Sequence, residues 1–379
     1  MRANTYRPQW PWPGRRFRIA RIRHGDLVRA SIEQPDLAEK VRFLSAGAHL
    51  REPDVEVQTV QTHFAWVFLT PKYAYKLRKP VRHRDFETVS LASRRARSDE
   101  EIRINRELAP DVYLDVIPLA RAPDGRMRLI EPSNRTGEME IVDWLLRMRR
   151  LPDARMLDHM IRERSWRPAD LQAVSDHLQA FYSRSPPLPM TGAEYCRRLG
   201  AAVRDNREEL LASESSGVNA SQAAEVACLQ ERWIDAHRGL LMRRAELGLI
   251  RDCHGDLKPE HVYCGPPVCV IDRLEFDADL RLLDPVEDLC FLWLECSRLG
   301  APSAGEWLVR RHSAASGDEV PWPLVEFYLS QRALTRAKLA AWRLGEPAAD
   351  RARWRERVSD YLVRAMNAVR RAEALETSI

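Results

Sequence analysis

The alternation of apolar and polar residues changes rhythm near residue 150. From about residue 55 it has a period of two: 55–61, 65–70 and 73–79 are β-branched and aromatic runs with short breaks, and Pro71 marks the turn before the third. This predicts an antiparallel meander. Residues 88–108 then take helical spacing and stop at Ala109-Pro110, because proline disfavours helix at the residue before it. Pro123-Asp124-Gly125 turns 116–120 back onto 127–130, and 141–148 supplies one more strand.

Beyond Leu151-Pro152 the stretches 168–184, 192–212, 220–246, 286–298, 322–344 and 350–375 carry Leu, Ala, Trp and Tyr at helical intervals. The exception is 250–285, where 268–271 is a short apolar strand among turn-rich segments. The expected architecture is α+β: a small antiparallel-sheet lobe and a larger, mainly helical lobe that contains one β-bearing loop region. The expected divisions are a basic leader at 1–37, a first lobe at 38–150 and a second at 151–379. No internal repeat of solenoid length interrupts this plan.

Composition first suggests a nucleic-acid partner. The 379 residues carry a net charge of +5, from 60 Lys+Arg against 55 Asp+Glu. Yet residues 1–23 alone hold seven Arg and no acid, more than the whole net charge, so the body is close to neutral. A nucleic-acid reading rests on that leader alone, and a solvated tail explains it more simply. No apolar run approaches the roughly 20 residues that span a bilayer, so no membrane partner is expected. Seven cysteines without a C-x-x-C pair suit reduced thiols in a cytoplasm. Only six of the 60 basic residues are lysine (40, 72, 76, 79, 258 and 338), and lysine alone offers a compact point charge, so their positions are informative.

The chemistry concentrates in Cys253-His254-Gly255-Asp256-Leu257-Lys258-Pro259-Glu260-His261, followed by Val268-Cys269-Val270-Ile271-Asp272. Two acids stand sixteen residues apart, one in a loop and one at a strand end. Transfer of a phosphoryl group from ATP needs such a pair: one carboxylate to orient and deprotonate a hydroxyl, another to hold Mg²⁺ against the phosphates. The segment resembles the catalytic loop and metal-binding strand of the protein-kinase-like fold, most closely its aminoglycoside phosphotransferase branch. Thr62-His63, Trp66-Val67-Phe68-Leu69-Thr70, Tyr73-Ala74-Tyr75-Lys76, Asn105-Arg106-Glu107-Leu108-Ala109-Pro110, Met148-Arg149-Arg150-Leu151-Pro152 and Arg336-Ala337-Lys338 extend it over residues 40–345, towards an uncharacterised bacterial group of that family.

The resemblance implies roles. Asp256 would act on the acceptor hydroxyl, Lys258 on the γ-phosphate and Asp272 on the metal. Lys76 would contact the α- and β-phosphates, partnered by an acid on the next helix. Glu100 and Glu101 compete for that place; Glu101 is preferred because Ile104 and Leu108 follow it at +3 and +7. Strand alternation puts Ala74, Lys76 and Arg78 on one face and Tyr73, Tyr75, Leu77 and Lys79 on the other. His63 would lie in the turn over the phosphates, where no G-x-G-x-x-G occurs, or serve that turn structurally. Met148 and Arg149 would pass the adenine edge. Asp288, in Asp284-Pro285-Val286-Glu287-Asp288-Leu289, would brace the catalytic loop, and Glu275 would lie near the metal or substrate.

One departure concerns mechanism. Five residues after the catalytic Asp the wider fold carries a metal-binding Asn; here the residue is His261. Imidazole is a poor ligand for a hard cation, so either His261 stands at the metal while the site works mainly through Asp272, or it meets substrate, or the protein has lost turnover. The function expected is therefore ATP- and Mg²⁺-dependent phosphotransfer to a hydroxyl of a small molecule, the alternative being a pseudokinase-like module with a protein partner. Asp158, Asp176, Glu194, Asp205 and Glu208 are available to a cationic acceptor or are ordinary helix-surface acids. A second His-Gly-Asp-Leu at 24–27 has no strand ending in Ile-Asp after it and is read as coincidence.

Overall fold

A computed structural model describes residues 35–47, 50, 56–62, 64–83, 86–131, 139–213, 217–345 and 350–376. Residues 1–34 of the leader, with the second His-Gly-Asp-Leu, and His63 lie outside the described residues.

The first lobe opens with helix α1 (Pro35–Ser45) and strands β1 (Gln58–Gln61), β2 (Ala65–Leu69) and β3 (Tyr73–Arg78). A two-stranded ribbon, β4 (Arg82–His83) with β5 (Phe86–Glu87), leads to α2 (Leu91–Asn105), and β6 (Tyr113–Arg121), β7 (Met127–Leu129) and β8 (Glu140–Arg149) complete the lobe. Six of these strands form one antiparallel sheet in the order β1-β2-β3-β8-β6-β7. The period-two pattern places its faces as expected. Phe68, Tyr75, Leu77, Ile117 and Leu145 pack with Leu44 of α1 on one side. Tyr113, Val116 and Leu146 pack with Ile102 of α2 on the other, where Cys269 of the second lobe joins them.

Helix α1 begins ahead of the boundary expected at residue 37, and its Leu37, Val41 and Leu44, at helical spacing, face the sheet core. It docks partly through charge: the buried Lys40 donates to Val142 O at 2.8 Å and to Asp143 at 3.0 Å, and Arg94 holds the other oxygen of Asp143 at 2.7 Å. A buried ion pair held by further hydrogen bonds leaves little trace in hydropathy.

The second lobe contains α3 (Leu157–Arg162), α4 (Pro168–Arg184), α5 (Gly192–Ala212), α6 (Ala220–Ala236) and α7 (Arg238–Glu246). The stretch expected as one helix over 220–246 breaks at His237, which caps α6 and opens α7. The loop region follows, with β9 (Arg251–Asp252), β10 (Val262–Tyr263), β11 (Cys269–Val270) and β12 (Leu282–Leu283); β10 pairs with β11 and β9 with β12. Helices α8 (Pro285–Arg298), α9 (Pro302–Ser316), α10 (Trp322–Arg343) and α11 (Arg351–Glu376) close the lobe. The pattern did not point to α9. It lies against α8 so closely that a Cβ on Gly305 would fall 2.3 Å from the Trp293 Cα, so glycine is required there. This is the two-lobed arrangement that the resemblance implies. Among the described residues no helix is long and apolar enough to cross a membrane.

Candidate active site

The loop from Cys253 to His261 is held in place by backbone hydrogen bonds. Asp288, in the first turn of α8, accepts the N–H of His254 and of Gly255 at 3.0 Å each, and the hydroxyl of Tyr182 at 3.0 Å. Gly255 has φ +85°, a conformation that disfavours any side chain. The His254 ring is buried and fully committed: Nδ1 accepts the Asp256 N–H at 3.2 Å and Nε2 donates to Ile271 O at 2.9 Å. That pattern requires the neutral ring, and burial pushes its pKa down to about 4. His254 thereby ties the loop to the strand end carrying Asp272.

Asp272 is in the left-handed region, with φ +59°. Neighbouring groups hold it there: its N–H donates to Tyr113 Oη at 2.9 Å, and the next N–H, of Arg273, donates to Asn105 Oδ1 at 2.8 Å. The buried Arg273 guanidinium donates to Cys253 O at 2.9 Å and pairs with Glu107 at 2.9 Å and Asp252 at 2.8 Å. The Asn105-Arg106-Glu107 motif thus clamps the strand end carrying Asp272 to the first lobe.

Charges from both lobes converge on Asp272. Its Oδ1 is 3.6 Å from Lys76 Nζ and its Oδ2 3.4 Å from His261 Nε2. The Asp272 side chain is half exposed; its partial desolvation would raise the carboxyl, but Lys76, then His261 and Lys258, hold it well below the usual carboxylate range. Lys76 meets Glu101 at 2.8 Å, while Arg78, on the same strand face, takes the other oxygen of Glu101 and reaches Glu275 at 2.9 Å. Burial would lower Lys76; Glu101 and then Asp272 outweigh it and raise its pKa.

Asp256 Oδ2 is 2.9 Å from Lys258 Nζ, and the Asp256 carbonyl accepts from His261 Nδ1 at 2.9 Å. Burial would raise this carboxyl too, but Lys258 leads the charges that pull it down, with Arg336 contributing. Arg336 lies between the rings of Phe291 and Tyr361, at 5.6 and 5.5 Å, and its Nε donates to Glu295 at 2.9 Å.

Six of the expected residues, Lys76, Glu101, Asp256, Lys258, His261 and Asp272, therefore form one continuous cluster between the lobes. Two are not brought to it. Glu100 is bound to Arg103 one turn away, at 2.7 Å through both oxygens. The Arg149 side chain is exposed and bonded to Asp111 O at 3.3 Å, and its N–H goes to Val112 O at 2.8 Å. Met148 is half-buried and packs against the cluster of Tyr113, Leu146 and Cys269 on the seam between the lobes. The five acids suggested for a cationic acceptor do not converge either. Asp158 pairs with Arg162 at 2.6 Å, Asp176 bonds Gln172 at 2.7 Å and Asp205 meets Lys338 at 2.7 Å; Glu194 sits in the first turn of α5, and Glu208 is exposed. Tyr113, Asn105, Arg273 and Arg336 were not singled out individually. Asn105 and Arg336 stood in recognised motifs, which was the available signal.

No family model matches the chain. It is similar to uncharacterised proteins of Mycobacterium tuberculosis and Mycobacterium bovis, each 28% identical over 306 residues, 79% of this chain and 57% of theirs. The chain thus spans little more than half the length of these curated relatives. Among solved structures it is similar to a choline/ethanolamine kinase family protein of Mesorhizobium loti (17% identity, 88% of this chain and 99% of that one, TM-score 0.47). It is also similar to a choline kinase of Streptococcus pneumoniae (16%, 86% and 99%, 0.46) and to a thermostable mutant of an aminoglycoside phosphotransferase (12%, 83% and 94%, 0.47).

Proposed function

We propose that the chain is a phosphotransferase that moves the γ-phosphate of ATP, with a divalent cation, to a hydroxyl of a small molecule. One observation carries the reading: Lys76, on the sheet of the first lobe, stands 3.6 Å from Asp272, at the strand end of the second, with Asp256 linked to the same cluster through His261. On this reading residues 38–150, extended by α1, bind nucleotide, and 151–379 carry the catalytic loop.

The division of labour follows from the charges. Lys76, fixed by Glu101, would position the α- and β-phosphates. The hard oxygens of Asp272 suit a divalent cation, which when bound would neutralise charge on the phosphates. Lys258 would meet the transferred group. Asp256, whose carboxylate its neighbours hold ionised, would accept a hydrogen bond from the acceptor hydroxyl, aim it and take its proton as the bond to phosphorus forms. A weak base suffices where the transition state is loose and the proton leaves late. Lys258, His261 and Arg336 act on Asp256 as positive groups, with the Glu260 carboxylate 3.6 Å from Lys258, so the charges around it select no acceptor class. The seven unpaired thiols, all but Cys228 buried, suit a reducing cytoplasm.

The test is phosphate transfer from ATP across sugars, sugar phosphates, hydroxy acids, choline and aminoglycosides. Transfer to one class, abolished in Asp256→Asn and Asp272→Ala, supports the proposal. Activity unchanged in both variants overturns it, and nucleotide binding without transfer to any class favours the pseudokinase alternative.

A further inference from the structure

The cluster contains one donor that a magnesium site does not call for. His261 places an imidazole beside the Asp272 carboxylate, and its two nitrogens have distinct environments. Nδ1 lies 2.9 Å from Asp256 O, a carbonyl that can only accept, so Nδ1 carries the proton. In the neutral ring Nε2 then has an open lone pair, and it is Nε2 that faces Asp272 Oδ2, at 3.4 Å.

That distance is longer than a good N–H···O hydrogen bond of about 2.7–3.2 Å. It is within a few tenths of an ångström of the spacing of two neighbouring ligands of one six-coordinate ion, since donors each about 2.1 Å from a metal stand roughly 3.0 Å apart at a right angle. The ring is 7% exposed, so its direction is fixed. A backbone carbonyl on the far nitrogen is the usual support for a metal-binding histidine. Asp272 is divided to suit: Oδ1 faces Lys76, leaving Oδ2 towards His261.

We propose that His261 Nε2 and Asp272 Oδ2 together ligate the nucleotide-associated cation, and that this makes the site selective for a borderline transition-metal ion of the Mn²⁺ class over Mg²⁺. The inference rests on the phosphotransferase reading. Mg²⁺ is a hard ion that takes oxygen almost exclusively, whereas Mn²⁺ and its heavier neighbours accept imidazole while still binding phosphate and carboxylate. Among the described residues no group of three or more His, Cys, Asp or Glu side chains is placed to hold an ion. Two protein donors leave most of the shell to phosphate oxygens and water, so the ion should bind tightly only with nucleotide.

The test uses the full chain with Mn²⁺ and a non-hydrolysable ATP analogue. Protein labelled with ¹⁵N-histidine separates the ring from the unlabelled adenine nitrogens. The result expected is a ¹⁵N coupling in the electron spin echo of bound Mn²⁺, with Mn²⁺ favoured over Mg²⁺ in competition by about tenfold or more, both lost in His261→Asn. A spectrum without the coupling, or a Mn²⁺/Mg²⁺ ratio that His261→Asn leaves unchanged, overturns the proposal while leaving phosphotransfer intact. Should calorimetry find that the analogue binds with neither ion, the phosphotransferase reading falls together with this one. His261→Gln, checked by circular dichroism, guards against a folding defect in the first variant.

Discussion

Lys76 Nζ lies 2.8 Å from Glu101 Oε1, and Arg78, two residues further along the same strand face, holds Oε2. One carboxylate thus orients two cations, and the lysine is left aimed at Asp272. Glu101→Gln removes the charge that opposes the buried Arg78 and the half-buried Lys76, and releases the lysine. Phosphotransfer should fall by about 10²-fold through mispositioning. Stability should fall as well, since breaking a buried pair costs about 3–5 kcal/mol. Glu100→Gln only frees an exposed Arg103 and should change neither by more than about 0.5 kcal/mol. Steady-state kinetics and urea denaturation of the two neighbouring variants check this, and equal effects would show that the Lys76 pairing does not matter.

Asp256 and Lys258 form a pair at 2.9 Å before any substrate arrives. Asp256→Asn keeps the shape but loses both the charge and the proton acceptor, and kcat should drop by about 10²–10⁴-fold with nucleotide affinity retained. Lys258→Ala should instead weaken the γ-phosphate interaction, affecting ATP more than ADP. Comparing the two nucleotides by calorimetry separates these roles; an Asp256→Asn enzyme with normal kcat would remove the residue from the chemistry.

The buried His254 predicts a pH dependence of stability. Its folded pKa of about 4 lies below the ordinary value of 6.5, so above pH 6.5 both folded and unfolded chains carry the neutral ring and there is no penalty. As pH falls from 6.5 towards 4 the unfolded chain takes a proton that the folded one refuses, and stability declines. The loss from this residue should be about 2 kcal/mol at pH 5 relative to pH 7.5. Burial lowers His177 and His312 as well, adding to the slope in the same direction. The depressed carboxyls of Asp256 and Asp272 contribute nothing here, because their stabilisation is lost only below about pH 4. Urea denaturation between pH 7.5 and 5 should show the decline, shallower in His254→Gln. A slope unaltered by that substitution would contradict the assignment.

Much of this site was legible because its chemistry lies in short segments. His254 to His261 is one loop, Asp272 follows a four-residue apolar run, and strand alternation alone separated Lys76 from Lys79. What remained hidden depends on residues meeting across the fold. Tyr113 reads as an ordinary strand aromatic until its hydroxyl is seen to accept from Asp272, 159 residues away. Arg273 is one of many arginines, and only its burial against Glu107 and Asp252 sets it apart. Helix α1 escaped although it carries Leu37, Val41 and Leu44 at helical spacing, because it is short and adjoins the Arg-rich leader, whereas α9 docks through small residues such as Ala304 and Gly305, which carry little hydrophobic periodicity. Arg149 misled in the opposite way: adjacent to Met148, it points outward, as strand alternation requires.

The loop from Cys253 to His261 is supported from below by α8. Asp284 is the N-cap of α8, accepting the Val286 N–H at 3.0 Å, and its buried carboxylate also takes Arg244 and the Tyr328 hydroxyl, the latter at 3.1 Å. Arg244 in turn reaches Asp318 at 2.6 Å. Asp288, one turn on, carries the loop amides of His254 and Gly255, so a displaced α8 moves Asp256. Asp284→Ala removes a cap and leaves Arg244 half-paired in the interior. The cost should be about 3–5 kcal/mol. Tyr328→Phe deletes one hydroxyl but leaves the charge pair, for about 1 kcal/mol. If the network serves the loop as well as the fold, Asp284→Asn, which retains the cap oxygen, should still lose turnover while nucleotide affinity, set largely from the other lobe, stays near normal. Chemical denaturation measures the first two; for the third, kcat and the Kd of the ATP analogue are measured together, and parallel losses in both would show that Asp284 acts on the fold alone.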